Sequence, residues 1–263
     1  MHMRHIRNLS LLLFSLFALS WSHIATADIT DLDEAINKAG RQRMLSQRIV
    51  KSYLLIGQDI QPDKSSSQLT ESVALFEQQL GELESYTKTP QISGQLKSVR
   101  KEWKEFRKLA TEKPSKDKAV ELISAGERVL ALSNKVVQSL EQQSGNPKNK
   151  MINLAGRQRM LSQRIALYYS ALSWNLDQAD LQRSFAQAVQ EYDEALHELR
   201  QAKINSQDIN AALDKVISQW SFSRSGFQLM QGQSFVPFII ATTTEGMLKN
   251  METITGLYES LQS

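Results

Sequence analysis

The stretch Ala39-Gly40-Arg41-Gln42-Arg43-Met44-Leu45-Ser46-Gln47-Arg48-Ile49 recurs without a change at Ala155–Ile165. The flanks extend the match, with Ile36-Asn37-Lys38 before the first copy and Ile152-Asn153-Leu154 before the second. Core packing does not demand such identity, because cores accept many apolar sets when volume and pattern are kept. Solvated Arg, Gln and Ser side chains would demand it even less. Either something specific holds both copies to one answer, or the duplication is recent.

Working outward, other features recur near the same offset of 116 residues. Phe76-Glu77 corresponds to Tyr192-Asp193, Leu80–Leu83 to Leu196–Leu199, and Trp103 to Trp220. The pattern Val129–Leu140 corresponds to Met247–Tyr258 at about 118. A period this long reads as a domain duplication, since solenoid repeats run about 20–50 residues. Each half predicts four helices. In the first these cover Asp31–Gln58, Ser67–Tyr86, Gln91–Ala110 and Lys116–Gln142. In the second they cover Lys148–Leu176, Leu181–Lys203, Gln207–Ser223 and Phe235–Gln262. Pro62, Pro90 and Pro114 mark breaks, Asp180 and Ser206 are candidate caps, and Ser144-Gly145-Asn146-Pro147 is the expected boundary between halves. The expected fold is all-α: two tandem antiparallel four-helix bundles, residues 28–146 and 147–263, paired about a pseudo-twofold axis through the first helix of each.

At about 100° per residue, Gly40, Arg43, Met44 and Gln47 share one face of the first helix, and Leu45, Ile49 and Ile56 share the opposite one. A surface helix has one apolar stripe. This one should pack on two sides, with Leu45, Ile49 and Ile56 toward the home core. Gly40 inside a helix costs about 1 kcal/mol relative to Ala, and its use is close approach. Gly156, Arg159 and Gln163 repeat the arrangement. Two such faces in contact would bring Arg43 and Arg159 together, and converging cations call for an anion. The guanidinium fork suits a small oxyanion. Arg41, Arg157, Arg48 and Arg164 lie off this face and read as surface or salt-bridging residues. Met44 and Met160 read as core, and Asn37 and Asn153 as candidates for bonds between helices.

Residues 1–27 carry Arg4 and Arg7, an apolar run Leu9–Trp21 and Ala25-Thr26-Ala27, the layout of a cleavable signal peptide. The run is shorter than the about 20 residues a membrane span needs. Periplasmic export is the expectation. The net charge of +3 falls to +1 without Arg4 and Arg7, which removes the electrostatic basis for nucleic-acid binding. The chain has no Cys, which excludes disulfides, thiol catalysis and Cys-ligated metals. Past the leader His197 is the one histidine, and no HExxH, nucleophile elbow or phosphate loop appears. No enzyme activity, metal or cofactor is expected.

Ile36-Asn37-Lys38-Ala39-Gly40, Arg43-Met44, Ser46 and Arg48, with their counterparts in Ile152–Arg164, resemble the signature of PilJ-type sensor domains, the N-terminal domains of type IV pili methyl-accepting chemotaxis transducers. They are also similar to the conserved box in the sensor region of nitrate/nitrite histidine kinases. The resemblance implies periplasmic four-helix bundles that pair along the first helix, with one anion between an Arg from each. By position those arginines are Arg43 and Arg159, and the glycines beside them Gly40 and Gly156. Arg41-Gln42 and its copy fit the chemotaxis-type variant better than the kinases. The expected function is a soluble periplasmic sensor-type binder of a small oxyanion such as nitrate or nitrite, held between the two repeated helices. The expected ligand contacts are Gly40, Arg43, Gln47, Gly156, Arg159 and Gln163. A membrane receptor or sensor kinase is the expected partner. Two alternatives stand beside this: a homodimer in which like repeats pair, and a protein–protein interaction module of a chemotaxis, pilus or two-component system that takes no small ligand.

Overall fold

Asp31 opens the first helix. Its carboxylate accepts the Glu34 amide at 2.8 Å, and the Glu34 carboxylate accepts the Thr30 amide at 3.0 Å. This reciprocal cap satisfies donors that a helix end otherwise leaves orphaned. A computed structural model describes residues 28–87, 89–176, 180–227 and 235–261; the expected signal peptide lies outside them. Eight helices follow in order among these residues: α1 Leu32–Gly57, α2 Pro62–Tyr86, α3 Pro90–Ala110, α4 Lys116–Ser144, α5 Pro147–Ser173, α6 Leu181–Gln201, α7 Gln207–Phe227 and α8 Pro237–Glu259.

Most of the expected helices fall within a few residues of these bounds. The largest differences are at α2, which begins five residues before Ser67, and α7, which runs four residues past Ser223. The cause at α2 is Pro62. It stands at the helix start, where its missing N–H would be unpaired anyway and its fixed φ is already helical. Pro90, Pro147 and Pro237 act the same way, so these prolines start helices rather than interrupt them. Ser206 caps α7, accepting the Ile209 amide at 3.2 Å. Asp180 makes no side-chain cap; its carboxylate pairs with Arg183 at 3.1 Å instead. Between the halves, Gly145 adopts φ 61°, which glycine tolerates without a Cβ penalty. Asn146 then caps α5 by accepting the Lys148 amide at 2.9 Å.

In the first half α1 packs on α2 and α4, and α3 on α4; in the second α5 packs on α6 and α8, and α7 on α8. The two halves meet chiefly through α1 lying along α5. Leu45 and Ile49 are fully buried and Ile56 partly so, while Met44 is 3 % exposed. Both apolar faces of α1 are therefore covered, one by its own half and one by α5. The pairing of repeated helices thus occurs within one chain. No helix among the described residues is long and apolar enough to cross a membrane.

The duplication extends to the aromatic core. Phe76 stacks on Trp103 with ring centroids 3.9 Å apart, and the Trp103 indole N–H donates to Glu77 at 2.6 Å. Their counterparts Tyr192 and Trp220 lie 4.4 Å apart, and Trp220 donates to Asp193 at 2.5 Å. In both halves the indole shares its carboxylate with an arginine of the same helix, Arg100 and Arg107 on Glu77 in the first and Arg224 on Asp193 in the second. Trp103 is fully buried. We expect Trp103→Ala to cost about 3–5 kcal/mol of unfolding free energy, read from urea melts; a loss below about 1 kcal/mol would contradict this packing.

Candidate functional site

Each repeated helix presents a glycine one turn before an arginine, and the α1–α5 contact brings both sets together. A Cβ placed on Gly40 would lie 3.4 Å from the Arg43 Nη2 and 3.5 Å from that of Arg159. One placed on Gly156 would lie 3.1 Å from Arg159 and 3.5 Å from Arg43. Two guanidinium tips therefore meet over two glycines. The sequence reading took the glycines as room for a neighbouring backbone; the space is occupied by the arginine heads. Arg43 is 2 % exposed and Arg159 fully buried.

Hydrogen bonds tie the heads across the junction. Arg43 Nη2 donates to the Asn153 side-chain oxygen at 2.8 Å and its backbone carbonyl at 3.3 Å. Arg159 Nη2 donates to the Asn37 carbonyl at 3.3 Å. Asn37 and Asn153 thus bond between helices, as the sequence suggested. The Nε of both arginines is buried without a hydrogen-bond partner among the described groups. Burial, with Arg159 and Arg157 nearby, pushes the Arg43 guanidinium down to about 9. Burial also lowers Arg159, against the opposing pull of Glu252.

Around this junction runs a ladder of polar residues at heptad spacing. On α8 it reads Glu245, Glu252, Glu259; at the corresponding positions on α4 it reads Glu127, Asn134, Glu141. The outer rungs pair across the halves in matched fashion. Arg48 bonds Glu245 at 2.8 Å and Arg164 bonds Glu127 at 2.7 Å. Asn37 donates to Glu259 at 2.8 Å, and Asn153 donates to Glu141. The middle rung does not match. Glu252 accepts from Arg159 and, at 2.9 Å, from Arg41. Burial pushes the Glu252 carboxyl up, but the two arginines outweigh it and the net shift is downward. Asn134 accepts only Arg43, at 2.8 Å, and Arg157 turns instead to Glu191 on α6 at 2.9 Å.

The glutamines expected at the site behave differently. Gln47 is buried and its amide donates to Ser46 at 3.3 Å. Gln163 accepts Lys51 Nζ at 2.8 Å, and the fully buried Lys51 also binds Glu245. Neither glutamine hydrogen-bonds an arginine head. Gly40, Arg43, Gly156 and Arg159 thus come together, while Gln163 belongs to the Lys51 cluster. Lys51 escaped the sequence reading because its counterpart is Leu167, and identity between copies was the guide. Asn134 and Glu252 escaped it because an unequal pair within a repeat carries no signal until the helices are docked.

The unequal middle rung has a direct consequence. Removing Arg159 takes from the half-buried Glu252 its fully buried partner and leaves it Arg41 alone, and a hydrogen bond between charged groups is worth about 1.5–3 kcal/mol. Removing Arg43 leaves only neutral amide acceptors unpaired, at about 1 kcal/mol. We expect Arg159→Met to destabilise clearly more than Arg43→Met in urea unfolding; equal losses would refute the asymmetry.

Comparison with known proteins agrees with the repeated signature. The family described as Type IV pili methyl-accepting chemotaxis transducer N-term, PilJ, matches residues 26–129 and again residues 140–234. No curated protein and no solved structure matches this chain. Matched over most of its length, in two segments that each contain one copy of the repeated helix, the chain belongs to the PilJ family.

Proposed function

We propose that this protein is a periplasmic sensor-type domain in which Arg43 and Arg159 recognise a small oxyanion, nitrate or nitrite, at the α1–α5 junction. Membership of a chemotaxis-transducer family assigns it a signalling role; the ligand and its seat are the further step. One observation carries it: two guanidinium groups, both essentially out of solvent, converge over Gly40 and Gly156, and of the two only Arg159 is bonded to a carboxylate, Glu252. Like charges buried together raise each other's cost, and an anion shared between them removes it. Planar forked donors match the planar oxygens of nitrate. An arrangement that straddles the two halves would also couple ligand binding to their relative position, which is what a sensor needs. A membrane receptor or kinase would read that change.

Thermal melting tests the reading. Nitrate or nitrite at millimolar concentration should raise the melting temperature more than chloride or sulfate at equal ionic strength, by the ordinary linkage of a ligand that binds only the folded state. Arg159→Lys, which keeps the charge but loses the fork, should abolish the difference. Equal shifts with all four anions would overturn it. A second reading, an interaction module without a small ligand, is favoured by large apolar side chains left exposed at the end of α7 and the start of α8. Phe222 is 62 % exposed, Phe238 57 % and Ile239 42 %. Absence of any anion-specific shift would favour that module.

A further inference from the structure

The unequal middle rung sits beside an open cleft. Between α4, α5 and α6 lies a space of about 530 Å³, whose largely polar border includes Arg43, Asn134, Asn153 and Arg157 together with the apolar Leu130, Ala131, Leu154 and Met160. This volume is in the range of small-molecule sites, which combine apolar lining with a few placed polar groups. The carboxylates along its border are engaged: Glu127 with Arg164, Glu141 with Asn153, Glu191 with Arg157 and Glu198 with Lys150. Arg43 is the exception among the cations. It is 98 % buried, borders the cleft, and every acceptor bonded to it is a neutral amide oxygen.

The other half shows what would complete it. There Arg159 and Arg41, the counterparts of Arg43 and Arg157, are bridged by the Glu252 carboxylate, one oxygen to each. On the cleft side the residue at that position is Asn134. We infer that the cleft binds a small aliphatic carboxylate whose head group bridges Arg43 and Arg157 in the place that Glu252 fills in the other half, with its short alkyl body against Leu130, Ala131, Leu154 and Met160. Asn134 then serves as the missing rung, its side chain amide free to donate to the incoming carboxylate. Arg157 is half-exposed and, among the described residues, bound to Glu191 on the cleft's rim, so it can turn inward as its counterpart Arg41 does. The pairing is charge-assisted and bidentate across two arginines, the strong class of hydrogen bond. The site shares Arg43 with the α1–α5 junction and adds Arg157 and Asn134, which the nitrate reading does not use, so variants at these two positions tell the sites apart.

The test uses the full chain with propionate as the probe, by calorimetric titration and thermal melting. Propionate should bind the parent protein, and Asn134→Glu should abolish binding while raising the melting temperature without ligand, because it supplies the bridge covalently. Arg157→Gln, on a half-exposed side chain that can be replaced without disturbing the core, should weaken propionate at least tenfold and leave the unliganded melt unchanged. No propionate binding at millimolar concentration, or binding that survives Asn134→Glu or Arg157→Gln, overturns the proposal. A protein that answers nitrate but not propionate overturns it and spares the junction reading; one that answers propionate but not nitrate does the reverse.

Discussion

Two buried guanidinium groups meeting over two glycines impose the constraint around which this molecule is arranged. A cation withdrawn from water costs several kcal/mol unless it is paired, and two of them side by side cost more. The structure meets that cost unequally. Arg159 has a carboxylate in Glu252, itself shared with Arg41. Arg43 has amide oxygens from Asn134 and Asn153. The glycines are what permit the meeting, because a methyl group at Gly156 would sit 3.1 Å from the Arg159 head, tighter than ordinary contact. A helix that accepts glycine at a loss of about 1 kcal/mol recovers it here as space for two charged heads.

The same constraint explains how the halves are joined. The bonds that cross between halves are largely polar: Arg48 to Glu245, Arg164 to Glu127, Asn37 to Glu259, Asn153 to Glu141. An apolar seam would resist sliding only weakly, whereas charged rungs at heptad spacing specify one register and penalise its neighbours, which would set unlike partners opposite one another. Behind this seam the buried apolar residues form one continuous cluster through both halves, and each half adds its own indole–carboxylate tie. The apolar cluster thus holds the halves together, and the charged rungs set their register.

Much of this was legible in the residues. Identity over eleven positions pointed to a shared role for the two helices or to a recent duplication. The opposed apolar faces of α1 predicted burial on both sides, and the Gly40 face correctly put Arg43 beside Arg159. The four-helix count per half followed from proline and glycine punctuation, with α2 misplaced at its start because Pro62 was read as a break rather than an N-terminal residue. What the sequence could not yield were features that exist only between docked helices. Gln47 and Gln163 share a helical face with the arginines, yet Lys51 claims Gln163, and Lys51 has no twin to advertise it. The nitrate seat, likewise, rests on the resemblance and on the convergence of charges rather than on a side-chain pattern alone.

Asn134 and Glu252 show what a tandem chain can do that a symmetric dimer cannot. In a homodimer each rung of an isologous interface occurs twice with the same residue, so both sides would carry a carboxylate or neither would. Two carboxylates would neutralise both arginines and close both flanks. Two asparagines would leave both cations without a directly bonded carboxylate, at a desolvation cost the fold would have to carry twice. Fusing the halves into one polypeptide lets the rungs diverge. One flank can hold its own carboxylate, anchoring the pair of helices, while the other keeps a cation bonded only to amide oxygens beside an open cleft. The destabilisation is limited to one site, and that site is where an anion from solution gains most by binding.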